Sequence, residues 1–236
     1  MYKIKRFINA SDISYKNEIR LTNLINLIQD VEALHINSLT KLKEESVNKN
    51  FGVLLNFRHL NIIRWPKFNE EITLVTYPFL TKAFFGYRNT LIYDANDNII
   101  VESYSFGSFI NLDTNHPVRI NNETIISIGD KEKHKMNYYG RKIKEPSTLN
   151  LIKTSKTYTK STQIDYYNHL NNAFYIDLAL SELDINYEYS KVYAEHLNAF
   201  KYNDLIILKT YEINKGYLVH LLNDKEEIYA KIKFET

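Results

Sequence analysis

The segment IDYYNHLNNAFY, Ile164 to Tyr175, sets Asp165, His169 and three asparagines immediately ahead of an apolar run. A plain turn needs one or two such side chains, so the surplus asks for a chemical explanation. Asp165 and His169 stand four residues apart at the junction of an expected strand and an expected helix. Asn171 or Asn172 is placed to cap that helix by accepting from its first N–H groups. The N–H groups that remain carry partial positive charge and can hold a polarised carbonyl oxygen. A carboxylate beside an imidazole fixes its tautomer and raises its basicity, which suits it to activate water for attack on an acyl carbon. Removing one donor from such an oxyanion site costs about 3 kcal/mol of transition-state stabilisation, so the helix start counts for as much as the base. An isolated D-x-x-x-H also arises where a capped helix adjoins a solvated histidine. The continuation H-L-N-N-A-F-Y is the more particular signal.

Composition narrows the remaining chemistry. The chain has 236 residues, 44% of them hydrophobic and 14% aromatic, enough to fill one large core or two small ones. With no cysteine, disulfides, thiolate metal sites and cysteine nucleophiles are excluded. Thirty basic against 28 acidic residues give a net charge of +2, too balanced for nucleic acid as the main partner. Six glycines, none in a G-x-G or G-x-x-x-x-G-K pattern, leave no phosphate-cradling loop, and G-x-S-x-G and H-E-x-x-H are absent. His59, His116, His196 and His220 share no ligand spacing, so no metal is expected. No apolar run approaches the roughly 20 residues of a membrane span, and MYKIKRF lacks the core of a secretory signal, which predicts a cytoplasmic protein.

The elements that must position the site repeat. From Leu21, the residues Leu24, Ile25, Ile28, Val31 and His35 recur at helical spacing and predict one amphipathic helix over residues 21 to about 43. Strands follow at 54–65, 71–79, 85–93 and 99–112, with Asp94–Asn98 as a hairpin turn. Residues 121–149 are poorer in apolar residues and rich in lysine, which predicts a solvated linker. The pattern then restarts with a strand at 156–164, a helix from about Asn171 to Leu183, and strands near 191–200, 205–213, 217–222 and 228–234. Ser14-Tyr-Lys-Asn-Glu-Ile19 can be laid on Asp165-Tyr-Tyr-Asn-His-Leu170, pairing Tyr15 with Tyr166 and Asn17 with Asn168. The expected fold class is therefore α+β, two tandem copies of a helix enclosed by an antiparallel sheet. The expected boundaries are 1–125 for the first copy, 126–149 for the linker and 150–236 for the second.

In the second half, Asp165, His169, Asn171, Asn172 and Tyr175 match D-x-N-x-H-V-N-N-x-x-Y. In the first half, Arg64-Trp-Pro, Glu70-Glu-Ile-Thr73, Phe85-Gly-Tyr-Arg88, Ile92-Tyr-Asp94 and Leu112-Asp-Thr-Asn-His-Pro-Val-Arg119 follow in order. Taken together these motifs resemble the acyl-acyl-carrier-protein (acyl-ACP) thioesterases, enzymes of double hot-dog fold, over most of the chain outside the linker. The resemblance implies hydrolysis of a fatty acyl-ACP thioester to free fatty acid, without a cofactor. Under it His169 activates water, Asp165 positions His169, and backbone N–H groups near Asn171 and Asn172 hold the carbonyl oxygen. The first copy would take the acyl chain. Acyl carrier protein is the implied partner, with Arg88 and Arg119 as docking candidates for its acidic surface; monomer and homodimer are both open.

Two positions depart from the family pattern. Tyr167 replaces its middle asparagine, with Asn168 one place late, and Ala199 and Phe200 fall on its later Glu-Cys pair. Glu195 shares strand parity with Ala199 and is the one nearby acid that could substitute. An acyl-coenzyme A thioesterase and a non-catalytic acyl-binding protein are the competing readings.

Overall fold

The apolar stripe beginning at Leu21 forms helix α1, Leu21–Ser38, in the computed structural model, which describes residues 1–236. Leu21, Leu24, Ile25, Ile28, Val31 and His35 are buried on it, as three- and four-residue spacing requires. The single helix expected to about residue 43 is interrupted at Leu39. There the Ser38 hydroxyl donates to the His35 carbonyl at 2.7 Å, and the Leu39 N–H donates to the Ile36 carbonyl at 3.1 Å. That tight closure ends α1. Helix α2, Thr40–Lys49, begins at once and stops at Asn50, whose φ of 48° is a left-handed cap that asparagine tolerates.

Two units make up the chain: Met1–Asn56 with Leu60–Tyr138, and Phe57–His59 with Tyr139–Thr236. The first contains β1 (Tyr2–Phe7), most of β2 (Phe51–Ile62), β3 (Glu71–Thr81), β4 (Phe85–Tyr93) and β5 (Ile99–Asn111), in the order β1-β3-β4-β5-β2. The pairs β1/β3, β3/β4 and β4/β5 are antiparallel, and Thr76, Thr90 and Ser103 stand directly across from one another. Asp94 closes the β4–β5 hairpin by accepting from the Asn96 and Asn98 N–H groups. Helix α1 packs on β1 and β3.

Helix α3, Asn122–Ile128, closes the first unit's run of elements, and the second unit contains β6 (Asn150–Tyr158), helix α4 (Asn172–Leu180), β7 (Lys191–His196), β8 (Leu205–Ile213), β9 (Gly216–Leu222) and β10 (Ile228–Glu235). Its strand order is β7-β10-β9-β8-β6, and each pairing is antiparallel. Strand β6 both begins and ends earlier than the expected 156–164, because a 3₁₀ turn at Ser161–Gln163 takes over the approach to the helix. Ala173 and Ala179 are fully buried on α4, which packs on β9 and β10, and the small side chains permit that close approach. Each unit thus runs strand, 3₁₀ turn, helix and four strands, an α+β arrangement of two tandem hot-dog copies. No helix is long and apolar enough to cross a membrane.

The lysine-rich segment keeps its lysines exposed, while several of its other side chains dock on the sheets. It opens inside a helix, α3, Asn122–Ile128. Asp130 then accepts from the Thr81 N–H at 2.7 Å and from its hydroxyl at 2.6 Å. The Tyr138 ring lies 4.8 Å from that of Tyr104 and 5.6 Å from that of Phe79, with Lys133 Nζ 3.5 Å from its centroid. In the second unit, Tyr139 packs on Tyr193 at 4.6 Å and Ile143 is buried. Tyrosine and lysine count as polar in a hydropathy average, yet each carries a body or stem that covers sheet surface. Asp130→Ala leaves the Thr81 N–H and hydroxyl without this acceptor and is expected to cost about 1–3 kcal/mol. Urea unfolding of the variant checks it, and an unchanged midpoint would mean that the segment is not docked.

Candidate active site

Residues 164–172 form a closed loop built almost wholly from backbone hydrogen bonds. The Asp165 N–H donates to the His169 carbonyl at 2.8 Å, and the Asn168 N–H to the Asp165 carbonyl at 3.0 Å. Ile164 and Leu170 form a bridge at the base, and the Asn171 N–H reaches back to the Gln163 carbonyl at 2.9 Å. Asn168 sits at φ 61°, the left-handed region in which asparagine is favoured over most other residues. That conformational demand explains the asparagine one place late; its side chain is exposed.

Asp165 acts on this loop. Its Oδ1 accepts from the Tyr167 N–H at 2.9 Å and from the His169 N–H at 3.2 Å. The carboxylate therefore braces the main chain that carries the imidazole. His169 itself is half-buried. Asn171 is the N-cap of α4, its side-chain oxygen accepting from the Ala173 N–H at 2.9 Å. Because the Asn171 N–H is committed to Gln163, it is withdrawn from the carbonyl-holding role that the sequence suggests. Asn172 is the first residue of α4, where the partial positive charge of the helix start is concentrated.

The first unit repeats the loop without its chemistry. Ser14 N–H donates to the Glu18 carbonyl, Asn17 N–H to the Ser14 carbonyl and Arg20 N–H to the Asp12 carbonyl, with Ile13 bridged to Ile19. Asn17 has φ 58°, and the Ser14 hydroxyl accepts from the Lys16 N–H just as Asp165 accepts from Tyr167. Glu18 occupies the place of His169.

Around the second loop, Tyr175 locks the following strand. Its hydroxyl accepts from the Phe200 N–H at 3.0 Å and donates to the Asn198 carbonyl at 3.4 Å, while Leu170 N–H donates to the Phe200 carbonyl. Burial pushes the Tyr175 hydroxyl well above its ordinary pKa, so it stays protonated. Ala199 is exposed and contributes no functional group. Glu195 is not placed to substitute as a base. It is buried, its Oε2 accepts from the Ile143 N–H at 2.9 Å, and it lies on the sheet face opposite His196, which contacts α4.

His196 carries no spacing signal, yet its ring meets that of Tyr175 edge-on at 5.0 Å. Neither ring nitrogen finds a hydrogen-bond partner in the protein. Burial, with a smaller contribution from the Arg58 charge, lowers its pKa to about 3, so the ring is neutral.

A cleft in the first unit lies between its helices and sheet. Its empty space, open mouth included, is about 630 Å³. Leu42, Val53, Leu55, Phe109 and Ile128 line its apolar part. Arg88, a docking candidate from sequence, lines this cleft instead and donates to Thr76 Oγ1 at 3.0 Å. His35 is a core histidine in contact with Arg88 Nη1 at 3.0 Å; burial, the Arg88 charge and the N-terminus lower its pKa to about 4.

Residues 1–128 match the family model of the acyl-ACP thioesterase N-terminal domain. Among solved structures, the 12:0-ACP thioesterase from Umbellularia californica superposes with a TM-score of 0.84 at 14% identity, covering 99% of this chain and 96% of that one. An acyl-ACP thioesterase from Bacteroides thetaiotaomicron superposes at 0.81 and 16% identity, covering 99% and 96%. At these identities the likeness establishes the double hot-dog fold. No curated protein sequence matches the chain.

The two buried histidines set a pH dependence. Imidazoles of the unfolded chain titrate near 6.5, while His196 and His35 remain neutral in the folded chain down to about 3 and about 4. Stability is therefore fully present above pH ~6.5 and is lost below it, by up to about 1.4 kcal/mol per pH unit for one such histidine. Urea midpoints between pH 7 and pH 5 should fall, and His196→Phe should flatten that slope; an unchanged slope in the variant would count against a neutral buried ring.

Proposed function

Since the chain belongs to the acyl-ACP thioesterase family and is a thioester hydrolase, we propose that it releases free fatty acid from fatty acyl-ACP, with His169 as the base. The observation that carries this reading is the loop itself: a carboxylate-braced main chain presents a half-buried imidazole directly before the N-terminus of α4. Glu195 faces away and Ala199 has no functional group, which leaves the His169 imidazole as the general base of the motif.

In the reaction, His169 removes a proton from water as the oxygen attacks the acyl carbon. The carbonyl oxygen becomes an oxyanion, met by the positive end of α4 at Asn172. Collapse of the tetrahedral intermediate breaks the C–S bond, and the imidazolium returns the proton to the departing thiolate. Asp165 is a positioning residue, since it holds the backbone on either side of the loop tip. Asn171 keeps α4 capped. The cleft of the first unit takes the acyl chain.

His169→Ala is expected to lower thiol release by about 10²–10⁴-fold with an unchanged unfolding midpoint; undiminished release would remove the mechanism. Comparing acyl-ACP with the matching acyl-coenzyme A as substrates decides the carrier, and a preference for the coenzyme A ester would overturn that part of the reading. Asp165→Asn keeps one acceptor oxygen for the loop and should fold better than Asp165→Ala, which loses both bonds and about 1–3 kcal/mol. Equal urea midpoints for the two variants would show that the brace is not the role of Asp165.

A further inference from the structure

The cleft of the first unit has two chemically different ends. Leu42, Phe109 and Ile128 supply an apolar one, part of a cluster completed by Phe51 and Ile120. At the other end the wall includes Glu32, Arg88 and Ser105. Gly86 of β4, directly opposite Gly107 of β5, lines the cleft without a side chain. A Cβ on Gly86 would meet only ordinary contacts at 3.7 and 3.9 Å, so the glycine leaves room that packing does not demand.

The polar end is ordered rather than incidental. Arg88 Nη1 donates to Thr76 Oγ1 at 3.0 Å, and the Thr76 and Thr90 hydroxyls are 2.9 Å apart. Thr90 then donates to Glu32 Oε1 at 2.8 Å, and Ser105 Oγ lies 3.5 Å from the same oxygen. Thr76 and Thr90 are fully buried and Glu32 is 9% exposed. A hydrogen-bonded line thus joins a guanidinium to a carboxylate across the cleft wall.

A saturated hydrocarbon laid over this end would cover Arg88 and Glu32 without adding a hydrogen bond to either, which is unfavourable in a low-dielectric site. An oxygen on the chain changes the balance, because a hydroxyl can donate to the carboxylate and a carbonyl can accept from the guanidinium. We propose that the acyl group taken by this cleft carries a hydroxyl or carbonyl oxygen part-way along its chain, held by Glu32 and Arg88 while the hydrocarbon occupies the Leu42–Phe109–Ile128 end. This deepens the acyl-thioester reading above and rests on it for the acyl group.

Binding to the full-length His169→Ala protein tests the inference without turnover. Dodecanoic acid, octanoic acid and the positional series of monohydroxy and monoketo dodecanoic acids are titrated by calorimetry. At least one oxygenated isomer should bind 10-fold or more tightly than either unsubstituted acid. Glu32→Leu should abolish that preference and tighten dodecanoic acid. Ser105→Val, a smaller change to the same wall, should weaken the preference in the same direction if Glu32→Leu fails to fold. Unsubstituted acids that bind as tightly as every oxygenated isomer would overturn the inference. Because no thiol release is read, failure of hydrolysis on the unmutated protein would sink the proposed reaction and leave this preference standing or falling by itself.

Discussion

A single carboxylate oxygen, Asp165 Oδ1, takes two backbone N–H groups, and the position of the candidate base follows from that arrangement. The loop tip requires a left-handed residue, supplied by Asn168. Main-chain bonds close it, the carboxylate brace fixes its interior, and α4 begins where it ends. The imidazole is thereby aimed through its backbone. The same loop in the first unit, with Ser14 in the bracing role and Asn17 at the tip, keeps the shape and loses the chemistry. Shape and reactivity are thus separable in one chain, and the second copy adds only an acid and an imidazole to an inherited frame.

The first unit spends its helix–sheet interface differently. In the second unit, alanines on α4 bring helix and sheet close together. In the first, Gly86 on β4 carries no side chain and an open cleft lies between the helices and the sheet. Its wall mixes aliphatic side chains with a hydrogen-bonded line from Arg88 to Glu32. Buried charge of this kind is retained at a cost, since apolar residues of similar volume would pack as well or better. A ligand that shares in those hydrogen bonds is the physical circumstance in which the cost is offset.

The segment following α3 shows how aromatic and basic residues can build order that hydropathy misses. Tyr138 docks on Phe79 and Tyr104 under Lys133, and Tyr139 docks on Tyr193 under Lys233. Farther along, Glu145 joins His220 at 3.1 Å and Lys231 at 2.5 Å. Within the second unit, the Tyr139 and Glu145 contacts lie on the sheet face on which Glu195 is found, which is why that acid serves the segment and not the reaction.

Local periodicity and turn chemistry determined the helix beginning at Leu21, the Asp94–Asn98 hairpin, the doubled element order and the D-x-x-x-H-x-N-N cluster, because each is set by residues near one another in the chain. Where α1 ends was not legible, since Ser38 and Leu39 are ordinary helix residues until a hydroxyl turns back on His35. Whether Arg88 lay on a surface or in a cleft, whether Glu195 faced the helix or the opposite side, and whether Asp165 held a ring or a main chain depended on which strands became neighbours. Those answers belong to the tertiary structure, because a side chain's partners across a sheet are chosen by strand order and register, and neither is written in the spacing of a single segment.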